Sequence, residues 1–221
     1  MSDSNLITLR DISFSYTGQE ELLSGINLEL KKSEKIGITG PNGSGKTTLF
    51  YIIMGLLRPL TGEVAIFSRQ MTKEADFKEV RQRIGFLFQD SDDQLFCPTV
   101  KDEVAFGPLN HGMEREETRR IVKDTLALVG LDGFEDRPPY NLSYGEKRKL
   151  ALATILATSP EVLLLDEPTN GLDEKTVAMI IDILNREDIS YIVISQNSEF
   201  LKNTVKTIYT LNNGTLINRS V

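Results

Sequence analysis

The sequence predicts an α/β fold in which a mainly parallel sheet, covered by helices on both faces, carries an added antiparallel β lobe. Strand patterns alternate with helix patterns through the middle of the chain, as a parallel sheet requires. Residues 162–166, Val-Leu-Leu-Leu-Asp, are apolar enough for a strand buried on both faces. Residues 6–16 and 26–30 instead alternate apolar and polar positions, which is typical of half-exposed antiparallel strands.

The composition is that of one ordinary globular domain. The chain has 221 residues, 40% of them hydrophobic, and a formal net charge of −7. Net acidity disfavours binding to nucleic acid through its phosphates, and no run of residues is apolar enough for direct membrane insertion. No secretory signal pattern is present, so we expect a cytoplasmic protein. The single cysteine, Cys97, lies among apolar neighbours and is expected to be a half-buried or buried structural thiol.

The remaining elements follow from the same periodicities and from turn residues. Arg58-Pro59 ends one helix pattern, and Asn212-Asn213-Gly214 predicts a hairpin turn. Further strands are expected at 35–39, 63–67, 84–88 and 191–195, and helices at 46–57, 74–83, 114–129, from 143 onward, at 174–185 and after 197.

A phosphate-binding loop is predicted at Gly40–Thr47, which matches G-x-x-x-x-G-K-[ST] between a strand and a helix. Glycines let backbone amides surround a phosphate, Lys46 bridges phosphate oxygens, and the Thr47 hydroxyl is a ligand for Mg²⁺. This indicates a P-loop NTPase core. The expected nucleotide contacts here are Asn42, Gly43, Ser44, Gly45, Lys46, Thr47 and Thr48.

A pair of carboxylates, Asp166 and Glu167, follows the most apolar strand. Asp166 ends the strand and is expected to reach Mg²⁺. Glu167 points elsewhere and is predicted to polarise the water that attacks the γ-phosphate. A surface acidic pair that only caps a strand is the alternative interpretation.

Residues 142–146, Leu-Ser-Tyr-Gly-Glu, allow two interpretations that are compatible with each other. Ser143 and Glu146 form a capping box at a helix start. The same helix start, with Gly145 beside the Ser143 hydroxyl, could also dock on a phosphate that belongs to another molecule.

These motifs occur in one order along the chain: phosphate loop, Gln89, residues 142–146, Asp166-Glu167 and Gly171-Leu172-Asp173. The order resembles that of the ATP-binding-cassette (ABC) ATPases, from residue 16 to about residue 197. The resemblance implies the ABC ATPase fold, with a single domain over 1–221, a catalytic core with its β lobe over 1–94 and 158–221, and a helical signature subdomain over 95–157.

The resemblance also implies residue roles. Tyr16 stacks on adenine, unless it is an ordinary core aromatic, and Gln89 senses Mg²⁺ and the attacking water. Two chains, identical or different, pack head to tail, so that Ser143 and Gly145 of one contact ATP held by the other. Asp173 crosses that interface.

Two departures from the family pattern affect the site. Tyr144 and Glu146 stand where the usual signature, Leu-Ser-Gly-Gly-Gln, has glycine and glutamine, and we expect Glu146 to turn back and cap its helix. Gln196 occupies the place of a histidine that contacts the γ-phosphate, so hydrolysis is expected to be slower than in relatives with histidine. The only histidine, His111, is expected to be an exposed loop residue.

Residues 92–96 and 104–110 resemble the ATPase subunits of energy-coupling-factor and cobalt/nickel importers. The resemblance implies a transmembrane permease partner, bound through the region from Gln89 to Phe106, and a peripheral position on the inner face of the cell membrane. An ATP-gated scaffold with little turnover and a soluble non-transport ABC ATPase are the alternatives. An acidic loop followed by an amphipathic helix is the alternative interpretation of residues 92–110.

Overall fold

The computed structural model describes residues 5–186 and 189–220, which form two sheets with helices around them. The strands are β1 (Asn5–Phe14), β2 (Leu23–Lys31), β3 (Lys35–Thr39), β4 (Thr61–Ile66), β5 (Arg69–Gln70), β6 (Ile84–Leu87), β7 (Val162–Asp166), β8 (Ser190–Ile194), β9 (Thr207–Asn212) and β10 (Thr215–Ser220). The helices are α1 (Lys46–Ile53), α2 (Glu74–Arg83), α3 (Val100–Asn110), α4 (Arg115–Leu128), α5 (Tyr144–Leu156), α6 (Glu174–Arg186) and α7 (Ser198–Thr204).

The larger sheet has the order β10-β9-β3-β8-β7-β6, in which β10 is antiparallel to β9 and the other neighbours are parallel. The smaller sheet, β2-β1-β4-β5, is antiparallel. The predicted α/β fold with an antiparallel lobe is therefore confirmed. All parallel strands end at the same edge of the larger sheet, and this edge carries the loops after β3, β6, β7 and β8.

The core consists of two apolar clusters on opposite sides of the larger sheet. Successive side chains of a strand point to opposite faces, so β7 contributes Leu164 to the cluster beneath the β lobe and Leu163 to the cluster beneath the helices. All five residues of β7 are buried, as its apolar sequence predicts.

Two predictions about these elements are wrong. The alternation over residues 6–16 predicted a half-exposed strand, but Leu6–Leu9 is a continuous buried run, so both faces of β1 are covered there. The helix predicted over 46–57 ends at Ile53, since Gly55, with φ +68°, ends the helical path before Arg58-Pro59. The short strand β5 was not predicted.

The predicted helical segment, 95–157, contains α3, α4 and α5, and α3 packs against both other helices. Its division from the rest of the chain stays a prediction. Cys97 is half-buried as predicted, and burial raises the pKa of its thiol to about 11. His111 is the C-terminal cap of α3 and is half-buried, so the predicted exposed loop position is wrong. None of the helices in the described ranges is long and apolar enough to cross a membrane.

Candidate active site

The loop between β3 and α1 has the conformation that its glycines make possible. Gly43 and Gly45 have φ of +77° and +98°, a region that side chains disfavour, and Gly45 is the N-cap of α1. The Lys46 ammonium folds back over the loop and donates hydrogen bonds to the carbonyl oxygens of Gly40 and Pro41, both at 2.8 Å. Burial lowers the pKa of Lys46, while the nearby carboxylates of Glu167 and Asp166 raise it.

Gly40 has a second reason to be glycine. Its φ is +147°, and a Cβ placed on it would lie 2.1 Å from the carbonyl oxygen of Leu211 in β9. The first strand of the last hairpin, β9, therefore abuts the phosphate loop. The loop motif explains Gly40 only by access to phosphate and does not reveal this contact.

Asp166 ends β7 with its side chain directed at the start of α1. The Thr47 hydroxyl donates to Asp166 Oδ2 at 2.6 Å, and Asp166 is only 1% exposed. Burial raises the pKa of Asp166, and the hydrogen bond from Thr47 opposes that shift. Two of the three predicted magnesium-site residues, Thr47 and Asp166, thus lie side by side, and both are oxygen donors of the type that Mg²⁺ prefers. The third, Gln89, lines the same cleft.

Both the backbone and the side chain of Glu167 are held by hydrogen bonds to the end of β8 and the segment that follows it. Its φ is +46°, its N–H donates to the Ile194 carbonyl at 2.9 Å, and its Oε2 accepts from the Gln196 N–H at 3.3 Å. Burial raises the pKa of Glu167, and the Gln196 N–H opposes that shift. The side-chain amide of Gln196 donates to the Gly40 carbonyl, so this residue joins the phosphate loop to Glu167.

A cleft of about 300 Å³ collects most of the predicted residues. Tyr16 stands at this cleft with 39% of its surface exposed, and its hydroxyl is 3.1 Å from Thr48 Oγ1, so it is not a core aromatic. The buried hydroxyl of Ser44 has no hydrogen-bond partner within the described chain. The cleft is lined by Tyr16, Gln19, Leu22, Gly43, Gly45, Lys46, Thr47, Thr48, Gln89, Asp166, Glu167 and Ile194.

Ser143 and Gly145 do not line this cleft. The capping box is confirmed: Glu146 Oε2 accepts from the Ser143 N–H and hydroxyl, each at 2.7 Å, and these bonds lower the pKa of Glu146. Glu146 turns back onto its own helix as predicted, and Ser143 remains exposed. Tyr144 packs against Gly171, where a Cβ would lie 3.1 Å from the tyrosine ring.

Asp173 also lies outside the cleft and caps α6. Its carboxylate accepts from the Thr176 N–H and hydroxyl, both at 2.9 Å, and these bonds lower its pKa. Any contact that Asp173 makes with a second chain must coexist with this capping role.

The structure also reveals Arg148, a residue that sequence reasoning missed. It is 1% exposed, and its guanidinium donates to backbone carbonyls at the ends of β6 and β7. In the sequence it lies between Lys147 and Lys149, and nothing there distinguishes it from two surface cations.

The site can be compared with known proteins. The family described as ABC transporter matches residues 23–170. The chain is 43% identical over 216 residues to the energy-coupling factor transporter ATP-binding protein EcfA of Methanothermobacter thermautotrophicus, covering 96% of this chain and 70% of that protein. It is 48% identical to a putative ABC transporter ATP-binding protein of Nitratidesulfovibrio vulgaris, covering 95% of this chain and 77% of that protein.

Solved structures agree with the sequence relatives. CbiO1 of Clostridium perfringens, part of the ABC transporter complex cbiONQ, superimposes with a TM-score of 0.86 at 30% identity, covering 97% of this chain and 87% of that one. A dimeric post-hydrolysis state of the cassette MJ0796, bound to ADP and Pi, gives a TM-score of 0.88 at 29% identity and covers 97% and 98%. With its phosphate loop and paired carboxylates in one cleft, the chain belongs to the ABC transporter family and is an ATP-binding ATPase of that family.

Proposed function

We propose that this chain powers a membrane importer of the energy-coupling-factor or cobalt/nickel type, and that two cassettes close head to tail around ATP. The observation that carries the proposal is that the cleft holds the phosphate loop, Asp166 and Glu167 but not Ser143. An exposed helix start, with the Ser143 hydroxyl at its surface and held by Glu146, is suited to a phosphate on another molecule. The names of EcfA and CbiO1 relatives and the MJ0796 dimer support this assignment.

Within one chain, the cleft residues divide into nucleotide contacts and reacting groups. Adenine stacks on the exposed ring of Tyr16. The Lys46 ammonium leaves the carbonyls of Gly40 and Pro41 and binds the β- and γ-phosphates. The remaining proposed phosphate contacts are Asn42, Gly43, Ser44, Gly45, Thr47 and Thr48 from the loop, and Ser143 and Gly145 from the opposite chain. Asp173 of the opposite chain borders the nucleotide site by crossing the interface.

Mg²⁺ fits the oxygen pair of Thr47 and Asp166, 2.6 Å apart, with Gln89 in the same cleft. When bound, the ion neutralises charge on the phosphate oxygens. Glu167 accepts a proton from the attacking water, since its raised pKa favours proton uptake. Gln89 orients that water, and Gln196 holds the carboxylate of Glu167 through its backbone N–H.

Hydrolysis as a function of protein concentration tests the composite site. If two chains build each site, the rate in Mg-ATP rises with the square of protein concentration below the dimer dissociation constant. A rate that is strictly proportional to concentration across a hundredfold dilution series, while sedimentation shows monomers throughout, would contradict the proposal.

The proposed permease surface lies between Gln89 and Phe106. Phe96 and Phe106 are 68% and 46% exposed, and their rings meet edge to face at 4.9 Å. The buried carboxylate of Glu103 accepts from the N–H groups of Phe96 and Cys97 and so fixes the loop that presents Phe96. A cavity of about 510 Å³ also lies between α3 and α4, and Ala105, next to Phe106 in the chain, lines it. These features suit an amphipathic helix of a permease.

We expect Phe106→Asp to abolish co-purification with a transmembrane subunit expressed from the same operon, because it places a charge in an apolar contact. Leu60→Asp is the matched control, since Leu60 is 64% exposed but lies on the β-lobe side of the chain. Equal retention of the permease by both variants would contradict the assigned surface. Absence of any membrane partner for the unmodified protein would favour the soluble non-transport alternative.

The scaffold alternative rests on Gln196. Its amide donates to Gly40, whereas histidine could carry charge toward the γ-phosphate. We expect Gln196→His to raise kcat for Mg-ATP about three- to tenfold with little change in KM. Unchanged turnover in steady-state assays would show that position 196 does not limit the rate.

A further inference from the structure

Arg148 in α5 is a buried cation whose hydrogen bonds go to backbone carbonyls. Nη2 donates to Asp166 O at 2.6 Å and Glu167 O at 2.9 Å, and Nε donates to Pro168 O at 3.4 Å. Nη1 donates to Gln89 O at 3.2 Å and also to the Phe88 carbonyl. One guanidinium thus joins the chain ends that leave β6 and β7.

No carboxylate forms an ion pair with Arg148 in the ranges 5–186 and 189–220. A buried charge is tolerated only when its donors are satisfied, and here carbonyl oxygens satisfy them. The carbonyls therefore fit only a side chain that has several donors in one plane. Lysine has a single ammonium in place of the planar fork and cannot reproduce these contacts.

Three of the five carbonyls that Arg148 holds belong to residues that line the ATP cleft. These residues are Gln89, Asp166 and Glu167. Glu167 is in the left-handed region, at φ +46°, and such a backbone persists only where its surroundings hold it. Arg148 supplies that restraint on the carbonyl side of the residue.

We propose that Arg148 is a positioning residue for its own chain's ATP site, which places the Glu167 carboxylate and Gln89 by fixing their backbone. The inference rests on the proposed function, in which Glu167 acts on the ATP of its own chain and Ser143 on the ATP of the opposite chain. Helix α5 then serves two sites: Ser143 at its start serves the partner's nucleotide, and Arg148 serves the chain's own.

Mixtures of variant chains distinguish a defect in a chain's own ATP site from a defect in the site of its partner. Arg148→Lys, Ser143→Ala and Glu167→Gln chains are assayed alone and in equal mixtures. Arg148→Lys alone loses about 30-fold or more in kcat, as small misplacements of reacting groups do, with ATP affinity within threefold of the unmodified protein. Lys149→Gln, at the next position of the same helix, keeps full turnover. Melting temperatures verify that each variant folds.

Arg148→Lys mixed with Ser143→Ala recovers about a quarter of full activity, because half of the dimers are mixed and each has one intact composite site. The Arg148→Lys chain mixed with Glu167→Gln recovers no activity, since each substitution damages the ATP site of the chain that carries it. Recovery with Glu167→Gln would overturn the proposal. So would a lack of recovery with Ser143→Ala under conditions in which Ser143→Ala and Glu167→Gln chains do recover activity together.

Ser143→Ala mixed with Glu167→Gln tests the dimer itself and should also recover about a quarter of full activity. Failure of this mixture refutes the head-to-tail dimer. The single-chain assay then decides whether Arg148 positions the site. Loss of kcat with ATP affinity retained supports that role, and parallel loss of kcat and ATP affinity overturns it.

Discussion

Replacement of Glu167 by glutamine is expected to lower kcat for Mg-ATP hydrolysis by about 10² to 10³, because the amide cannot take a proton from the attacking water. ATP affinity should remain within a few fold, since Lys46 and the loop amides hold the phosphates. Steady-state hydrolysis and equilibrium binding of ATP measure the two effects. The matched control is Glu199→Gln, an exposed carboxylate in α7 that should keep full turnover.

The pH dependence gives an independent check on Glu167. Burial raises its pKa, and the proton acceptor must be ionised, so the rate is retained above that pKa and lost as pH falls through it. The acid limb of kcat should therefore lie above the ordinary carboxylate range and vanish from the residual rate of Glu167→Gln. A Glu167→Gln protein with normal turnover would show that another group is the acceptor.

Gly40→Ala is expected to lower the free energy of unfolding by about 4 kcal/mol or more, because its Cβ would lie 2.1 Å from the backbone carbonyl of Leu211. Gly43→Ala is the matched control. Gly43 also has positive φ, but a Cβ there meets nothing within 4 Å, so only the backbone term of about 1 to 2 kcal/mol applies.

Urea denaturation of both variants without nucleotide measures the difference. Equal losses for Gly40→Ala and Gly43→Ala would show that β9 can move away from the loop at little cost. A larger loss for Gly40→Ala would establish that the last hairpin supports the nucleotide site.

Much of the site follows from sequence because its groups are local. The loop from Gly40 to Thr47 is contiguous, and the Ser143 and Glu146 pair satisfies neighbouring amides of its own helix, as predicted. The pairing of Thr47 with Asp166 is long-range, but both follow parallel strands whose ends share one sheet edge. The roles assigned to the individual nucleotide contacts stay predictions.

The features missed by sequence reasoning depend on backbone atoms of distant segments. Arg148 binds carbonyls, which every residue possesses, so no side-chain pattern identifies its partners. The contact of Gly40 with Leu211 is equally invisible. The error in β1 has a related cause, because the alternation of a strand does not report which elements later cover its polar face.

The contact between Tyr144 and Gly171 links two positions that the sequence separates. A Cβ at position 171 would lie 3.1 Å from the Tyr144 ring, so the aromatic residue occupies space that any side chain at 171 needs. The two positions should therefore covary among homologues. Gly171 also has φ +70°, so a side chain at this position is strained even beside a smaller residue. We therefore expect Gly171→Ala to be destabilising in either background, and less so when Tyr144 has been replaced by alanine.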